Sequence, residues 1–131
     1  MDVTSDWVST GNGTLHRVEP GLYELRGGEG IVGTAETTER TLSVIDAFMA
    51  AESEVTLLMT VPRVMKVSLE TRRMMANDPR ITERVRRAAI VFRNPLGRIL
   101  ASVFMAVNKP RYPTRAFTDR DAALEWLREA A

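Results

Sequence analysis

The chain has 131 residues, 44% of them hydrophobic and 27% charged, with no cysteine and a formal charge of +1. That length makes one domain and buries roughly two thirds of the unfolded surface, so no disulfide or metal staple is needed. The missing cysteine excludes disulfide frameworks, thiolate zinc sites, iron–sulfur sites and cysteine nucleophiles together. The small net charge hides an asymmetry. Residues 1–54 hold three bases and ten acids, and residues 55–131 hold fifteen bases and seven acids, so the two halves carry −7 and +8. Such a split either sets up a surface field that orients partners or mingles once the chain folds.

Residues 1–13 are polar, end in Gly11-Asn12-Gly13 and read as a flexible N-terminal arm before a single domain at 14–131. Leu15 to Val18 and the alternating Leu22-Tyr23-Glu24-Leu25-Arg26 form a hairpin across Pro20-Gly21. Thr34 then caps a helix whose apolar face is Leu42, Ile45, Phe48 and Met49. Residues 55–61 are almost continuously apolar, as a central strand buried on both faces reads, and Pro62 ends it. Ser68 opens the next helix, which Asn77-Asp78-Pro79 breaks, and residues 81–85 make a further turn or short helix. Residues 88–92 form a second buried strand. Ile99, Leu100, Val103, Phe104 and Val107 make a helical stripe that Pro110 stops. A short strand over 114–117 and a last helix opened by a capping-box-like Thr118-Asp-Arg-Asp121 complete the chain. Strands alternating with helices demand an α/β fold with a mostly parallel sheet.

The apolar runs 55–61 and 99–107 fall short of the ~20 residues that cross a bilayer, and the acidic N-terminus is unlike a secretion signal. A cytoplasmic protein with no membrane insertion is expected. His16 is the lone histidine and lies in a strand, away from any nucleophile or second ligand, so neither a triad nor a zinc site is expected. Asp119 and Asp121 read as helix caps. Gly27-Gly28-Glu29-Gly30 has neither dinucleotide nor P-loop spacing and reads as a turn. No cofactor, no metal and no enzymatic activity are expected.

The densest charge feature is Arg63, Lys66, Arg72, Arg73, Arg80, Arg84, Arg86 and Arg87. Residues 63–87 contain no aromatic, so the stripe lacks the stacking platforms of a nucleic-acid surface, and no nucleic acid is expected. It reads as a solvated face or as a surface for an acidic protein or an anionic head group. Ser68 is a helix cap; as a phosphoacceptor it would place negative charge beside Lys66, Arg72 and Arg73. Phe48, Met49, Met59, Met74 and Phe104 either pack the core or line an apolar pocket for a lipid-like ligand. The last helix, with Trp126, or an exposed sheet face offers a homodimer surface.

The segment from Asn94 to Pro110, ending in Asn-Lys-Pro, runs into Pro-Thr-Arg-Ala-Phe-Thr-Asp at 113–119 and Ala-Leu-Glu-Trp-Leu at 123–127. With the element order, it resembles the STAS-like, anti-sigma factor antagonist-like family of small bacterial domains, sometimes grouped with CRAL-TRIO lipid-transfer domains. The resemblance implies a mixed, mostly parallel sheet of about five strands with four to five helices packed largely on one face. It further implies a non-enzymatic regulatory or adaptor module. Its partner protein would bind around the helix that starts at Ser68, through Lys66, Ser68, Arg72 and Arg73. The family's Asp-Ser-x-Gly-like loop corresponds to 61–70 here, where the preceding Asp and the following Gly are absent. The alternative is a carrier or sensor of a small apolar ligand.

Overall fold

The computed structural model describes residues 6–99 and 111–129. The chain runs β1 (Val8–Ser9), β2 (Gly13–Glu19), β3 (Leu22–Gly27), β4 (Val32–Gly33), α1 (Ala35–Phe48), β5 (Val55–Thr60), β6 (Lys66–Val67), α2 (Leu69–Asn77), α3 (Pro79–Thr82), β7 (Val85–Val91), β8 (Thr114–Phe117) and α4 (Arg120–Arg128). Residues 95–99 open a further helix. The stripe continuing it, Phe104 included, lies outside the described residues.

The main sheet has the order β1-β2-β3-β5-β7-β8. Its first three strands are antiparallel, and β3, β5, β7 and β8 are parallel. β4 and β6 form a separate two-stranded parallel ribbon. The turn between β2 and β3 closes at Gly21, whose φ of 79° suits a residue without Cβ. Leu57 and Leu58 are neighbours on the central strand and point to opposite faces, and both are fully buried. On one face Leu57 and Ala88 pack with Leu42, Ile45, Met49 and Ile81, from α1, its C-cap and α3, and with Met74 and Met75 of α2. On the other, Leu22, Leu58 and Ala89 meet Ala123, Leu124 and Leu127 of α4. Three of the four labelled helices, α1, α2 and α3, thus share a face, as right-handed crossovers between β3, β5 and β7 require. The fourth covers the reverse side.

The caps follow their residue types. Thr34 forms a reciprocal capping box with Thr37, and Ser68 Oγ accepts from Thr71 N–H at 3.0 Å. Three expectations shift. Residues 6–13 are not a loose arm: β1 pairs with β2, and Asn12 is buried. The second buried strand starts at Val85 rather than 88, because Arg86 and Arg87 occupy strand positions whose side chains reach Glu54 and Trp126. At the last helix the cap is Asp119, as its reading as a cap expected, accepting from Asp121 N–H, so the capping-box reading that starts at Thr118 gives way. Among the described residues no helix is long and apolar enough to cross a membrane.

Leu58 is fully buried on the central strand within the cluster of the second face. Leu58→Ala is expected to lower unfolding free energy by about 2–5 kcal/mol, read from urea denaturation, through lost burial and the cavity left behind.

Candidate functional site

The four partner-binding residues expected from the sequence do come together. Lys66 is the register partner of Val32, so both side chains leave the β4–β6 ribbon on the same side. Ser68 follows at once as the cap of α2. Leu69, Arg72 and Arg73 then recur at the i, i+3, i+4 spacing of one helix face. All are exposed, and with them Val32, Val64 and Leu69 stand 58%, 58% and 47% accessible. Three exposed apolar side chains therefore sit on the same ribbon-and-helix region as Lys66 and Arg73.

Arg80, Arg84, Arg86 and Arg87 of the basic stripe meet acids or a carbonyl of the fold. Arg80 clamps both carboxylate oxygens of Glu39, at 2.7 and 2.8 Å, and also holds Asp78. Arg84 pairs with Asp46 and Arg86 with Glu54. Arg87 donates to the Trp126 carbonyl and lies over its ring, and Trp126 packs on Phe117, so this tryptophan is already engaged.

Behind the α2 face runs a buried polar chain. Ser68 Oγ and Thr38 Oγ1 both donate to Thr71 Oγ1, at 3.1 and 2.9 Å. Asn12 Nδ2 donates to Thr38 Oγ1 at 3.2 Å, and Asn12 N–H donates to Thr41 Oγ1 at 2.9 Å. The Asn12 carbonyl accepts from Gly28 N–H at 2.9 Å. The cap of α2 is thereby tied through α1 to the β1–β2 loop.

Gly28 borders a cleft of about 750 Å³ at the carboxyl ends of β3, β5 and β7. The sequence did not mark this place. Glu24 forms part of its wall and is fully buried. Glu24 Oε1 accepts from Arg120 Nη2 at 2.9 Å and lies 3.1 Å from His16 Nε2. Oε2 has a longer contact, 3.4 Å, from Arg26 Nη2. Burial alone would raise this carboxyl's pKa. The hydrogen bonds from Arg120 and His16, with the charges of Arg120 and Arg26, more than reverse that and hold it below the ordinary value. His16 in turn stacks on Trp7 at 3.6 Å between ring centroids, and Arg26 lies over the same indole. The sequence carries no signal of this, since in an alternating strand Glu24 takes a slot that ordinarily faces water.

The expected apolar pocket is a different matter. Met49 is fully buried, and Phe48, Met59 and Met74 pack against the core beside it. They fill space and line no part of the cleft. Phe104 lies outside the described residues.

Glu24 makes a sharp stability test. Arg120→Ala leaves a buried carboxylate short of its best donor and is expected to cost roughly 1–3 kcal/mol at neutral pH. A folded pKa below the ordinary 4.5 contributes stability that is present above that value and lost as pH falls through the folded one. Urea midpoints measured across the acid range should therefore fall less steeply for Glu24→Gln than for the wild type.

The comparison with curated proteins finds no match. Among solved structures the chain is similar to an uncharacterized protein from the DUF3478 family with a SpoIIAA-like fold, from Shewanella loihica PV-4. Identity is 15%, over 93% of this chain and 90% of that one, with a TM-score of 0.59. At that identity the likeness shows the fold alone, and the fold is SpoIIAA-like, that is STAS-like. No comparison supports the expected kinship with CRAL-TRIO domains. The family described as "Domain of unknown function (DUF7793)" matches residues 32–131, from β4 to the end of the chain. With that match over well more than half its length, the protein belongs to the DUF7793 family.

Proposed function

We propose that the protein is a non-enzymatic regulatory or adaptor module that docks an acidic segment of a partner protein on the face of α2 and the β4–β6 ribbon. The observation that carries this reading is the exposure of Val32, Val64 and Leu69, with Lys66 and Arg73, on and beside the β4–β6 ribbon and the start of α2. A contact surface on a small domain would present exposed apolar side chains of this kind. The surrounding cations favour an acidic partner and steer its approach. The STAS-like resemblance in the last third of the chain points to the same class of activity, and a cytoplasmic setting belongs to the same proposal.

Ser68 sits where a switch would act on this face. As built, its hydroxyl caps α2 and joins the buried chain through Thr71. A phosphate there would add close to two negative charges beside the cations that the partner uses.

The test is capture of partner proteins by the immobilised chain, with bound species identified by mass spectrometry. Lys66→Glu/Arg73→Glu is expected to lose an acidic partner by at least about tenfold, and Leu69→Ser to weaken it, while raised salt weakens capture by the wild type. Undiminished capture of every partner by both variants would sink this surface.

A further inference from the structure

The sequence holds one Asn-Gly pair, Asn12-Gly13, and the fold ties both residues down. Asn12 is buried. Its backbone N–H donates to Thr41 Oγ1 at 2.9 Å and its amide Nδ2 to Thr38 Oγ1 at 3.2 Å, both on α1. Its carbonyl accepts from Gly28 N–H at 2.9 Å. Gly13 begins β2 opposite Gly27, and a Cβ there would overlap the Arg26 carbonyl oxygen. The approach of β2 to β3 therefore demands glycine at 13. Packing thus fixes, after Asn12, the residue that shields its own peptide nitrogen least.

Such a pair has a chemistry of its own. The Gly13 nitrogen can attack Asn12 Cγ, because no side chain crowds its approach. The new N–Cγ bond closes a cyclic imide while the Cγ–Nδ2 bond breaks. Ammonia leaves with the proton of the Gly13 N–H. Water then opens the imide at either carbonyl and leaves aspartate, or its isoaspartyl isomer, at 12. The folded state resists the first step. Attack requires the Asn12 side chain to swing onto the following nitrogen and the flanking peptides to turn. The bonds to Thr38, Thr41 and Gly28 hold that side chain and both backbone groups, and Gly13 is held in the sheet. Yet β1 is a two-residue edge strand, so lifting this loop breaks few bonds.

We propose that Asn12-Gly13 is a site of spontaneous deamidation, shut while the β1–β2 loop rests on α1 and open when the loop lifts. The product does not fit the place it came from. Thr38 Oγ1 donates to Thr71 and Thr41 Oγ1 to the Thr37 carbonyl, so neither has a proton for a carboxylate. Asn12 Oδ1 already lacks a donor among the described residues. A charge at 12 is therefore buried without a partner, and the isoaspartyl isomer also adds a carbon to the backbone before Gly13. Each lifting of the loop risks an irreversible conversion, and a converted loop no longer seats. The pair thus sets a lifetime on the end of the buried hydrogen-bond chain that runs from Asn12 through Thr38 and Thr71 to Ser68.

Mass-spectrometric peptide mapping of the full chain, held at mildly alkaline pH with and without denaturing urea, tests this. Conversion at Asn12 is expected to run at least about tenfold slower in the folded chain. Thr41→Val deletes the acceptor of the Asn12 N–H and is expected to speed conversion in the fold about threefold or more, with the rate in urea unchanged. Leu58→Ala weakens the far face of the sheet and leaves the bonds of the loop in place, so its folded-state rate should match the wild type. Asn12→Asp, the product made directly, is expected to melt about 5 °C or more below the wild type. Equal rates with and without urea overturn the proposal. An unchanged folded rate in Thr41→Val overturns the part given to α1. Acceleration by Leu58→Ala as large as that by Thr41→Val overturns loop lifting as the route, since conversion then follows global unfolding. A wild-type melting temperature for Asn12→Asp overturns the consequence for the fold.

Discussion

A single carboxylate, Glu24, joins the two ends of the chain. It lies on β3 with no exposed surface, and its best donor, Arg120, is 96 residues away at the first position of α4. A buried charge without a partner is far more costly than any one exposed ion pair is helpful. The position of α4 is consequently not free. Its N-terminus has to bring Arg120 to the strand, Asp119 caps the helix there, and the face of Ala123, Leu124 and Leu127 then falls onto Leu22, Leu58 and Ala89. The same requirement holds His16 against Glu24 and, through the stacked Trp7, draws the start of the chain onto the sheet. The cleft is what remains between these fixed points and the ends of the parallel strands.

The charge asymmetry of the sequence resolves by the same logic on the surface. Acids of the first half meet bases of the second in Glu39–Arg80, Asp46–Arg84, Glu54–Arg86, Glu24–Arg120 and Glu19–Arg128. The exposed pairs among them contribute little to stability one by one. Their consequence is a pattern. They engage Arg80, Arg84 and Arg86 of the basic stripe with the protein's own acids. What reads as a continuous run of bases is therefore in part matched, at the surface, by the protein's own acids.

Local rules carried most of the fold. Alternation marked the first hairpin, the apolar run at 55–60 marked the central strand, and Thr34 and Ser68 cap the helices they introduce. The cap and the cations of α2 were legible as a local pattern, but Val32 and Val64 come from other segments and the sequence did not mark them. Glu24 was not legible either. In an alternating strand a carboxylate occupies the slot that ordinarily faces water, and nothing nearby in sequence reveals that Arg120 closes over it. Arg86 and Arg87 hid the first turn of β7 for a related reason: two adjacent charges look like a loop until Glu54 and Trp126 are seen beside them. Val8 and Ser9 form a strand only because β2 offers an edge to them. The cleft was illegible because it is assembled from five separate stretches of chain, none of which carries a motif.

The interface between α1 and α2 shows why polar residues were kept where valine would fill the same space. Thr38, Thr41 and Thr71 are buried, and each is satisfied: Thr38 and Thr71 by one another, Thr41 by Asn12 and the Thr37 carbonyl. Two helices meeting through aliphatic side chains alone tolerate small slides, because dispersion is non-directional. Hydroxyls in hydrogen-bond register do not, since a displacement leaves every member of the chain unsatisfied at once. The chain begins at the Ser68 cap and ends at Asn12, whose carbonyl holds Gly28 at the edge of the cleft. The outer face of α2 and the glycine wall of the cleft are thus set by one string of hydrogen bonds, and the register of either fixes the register of the other.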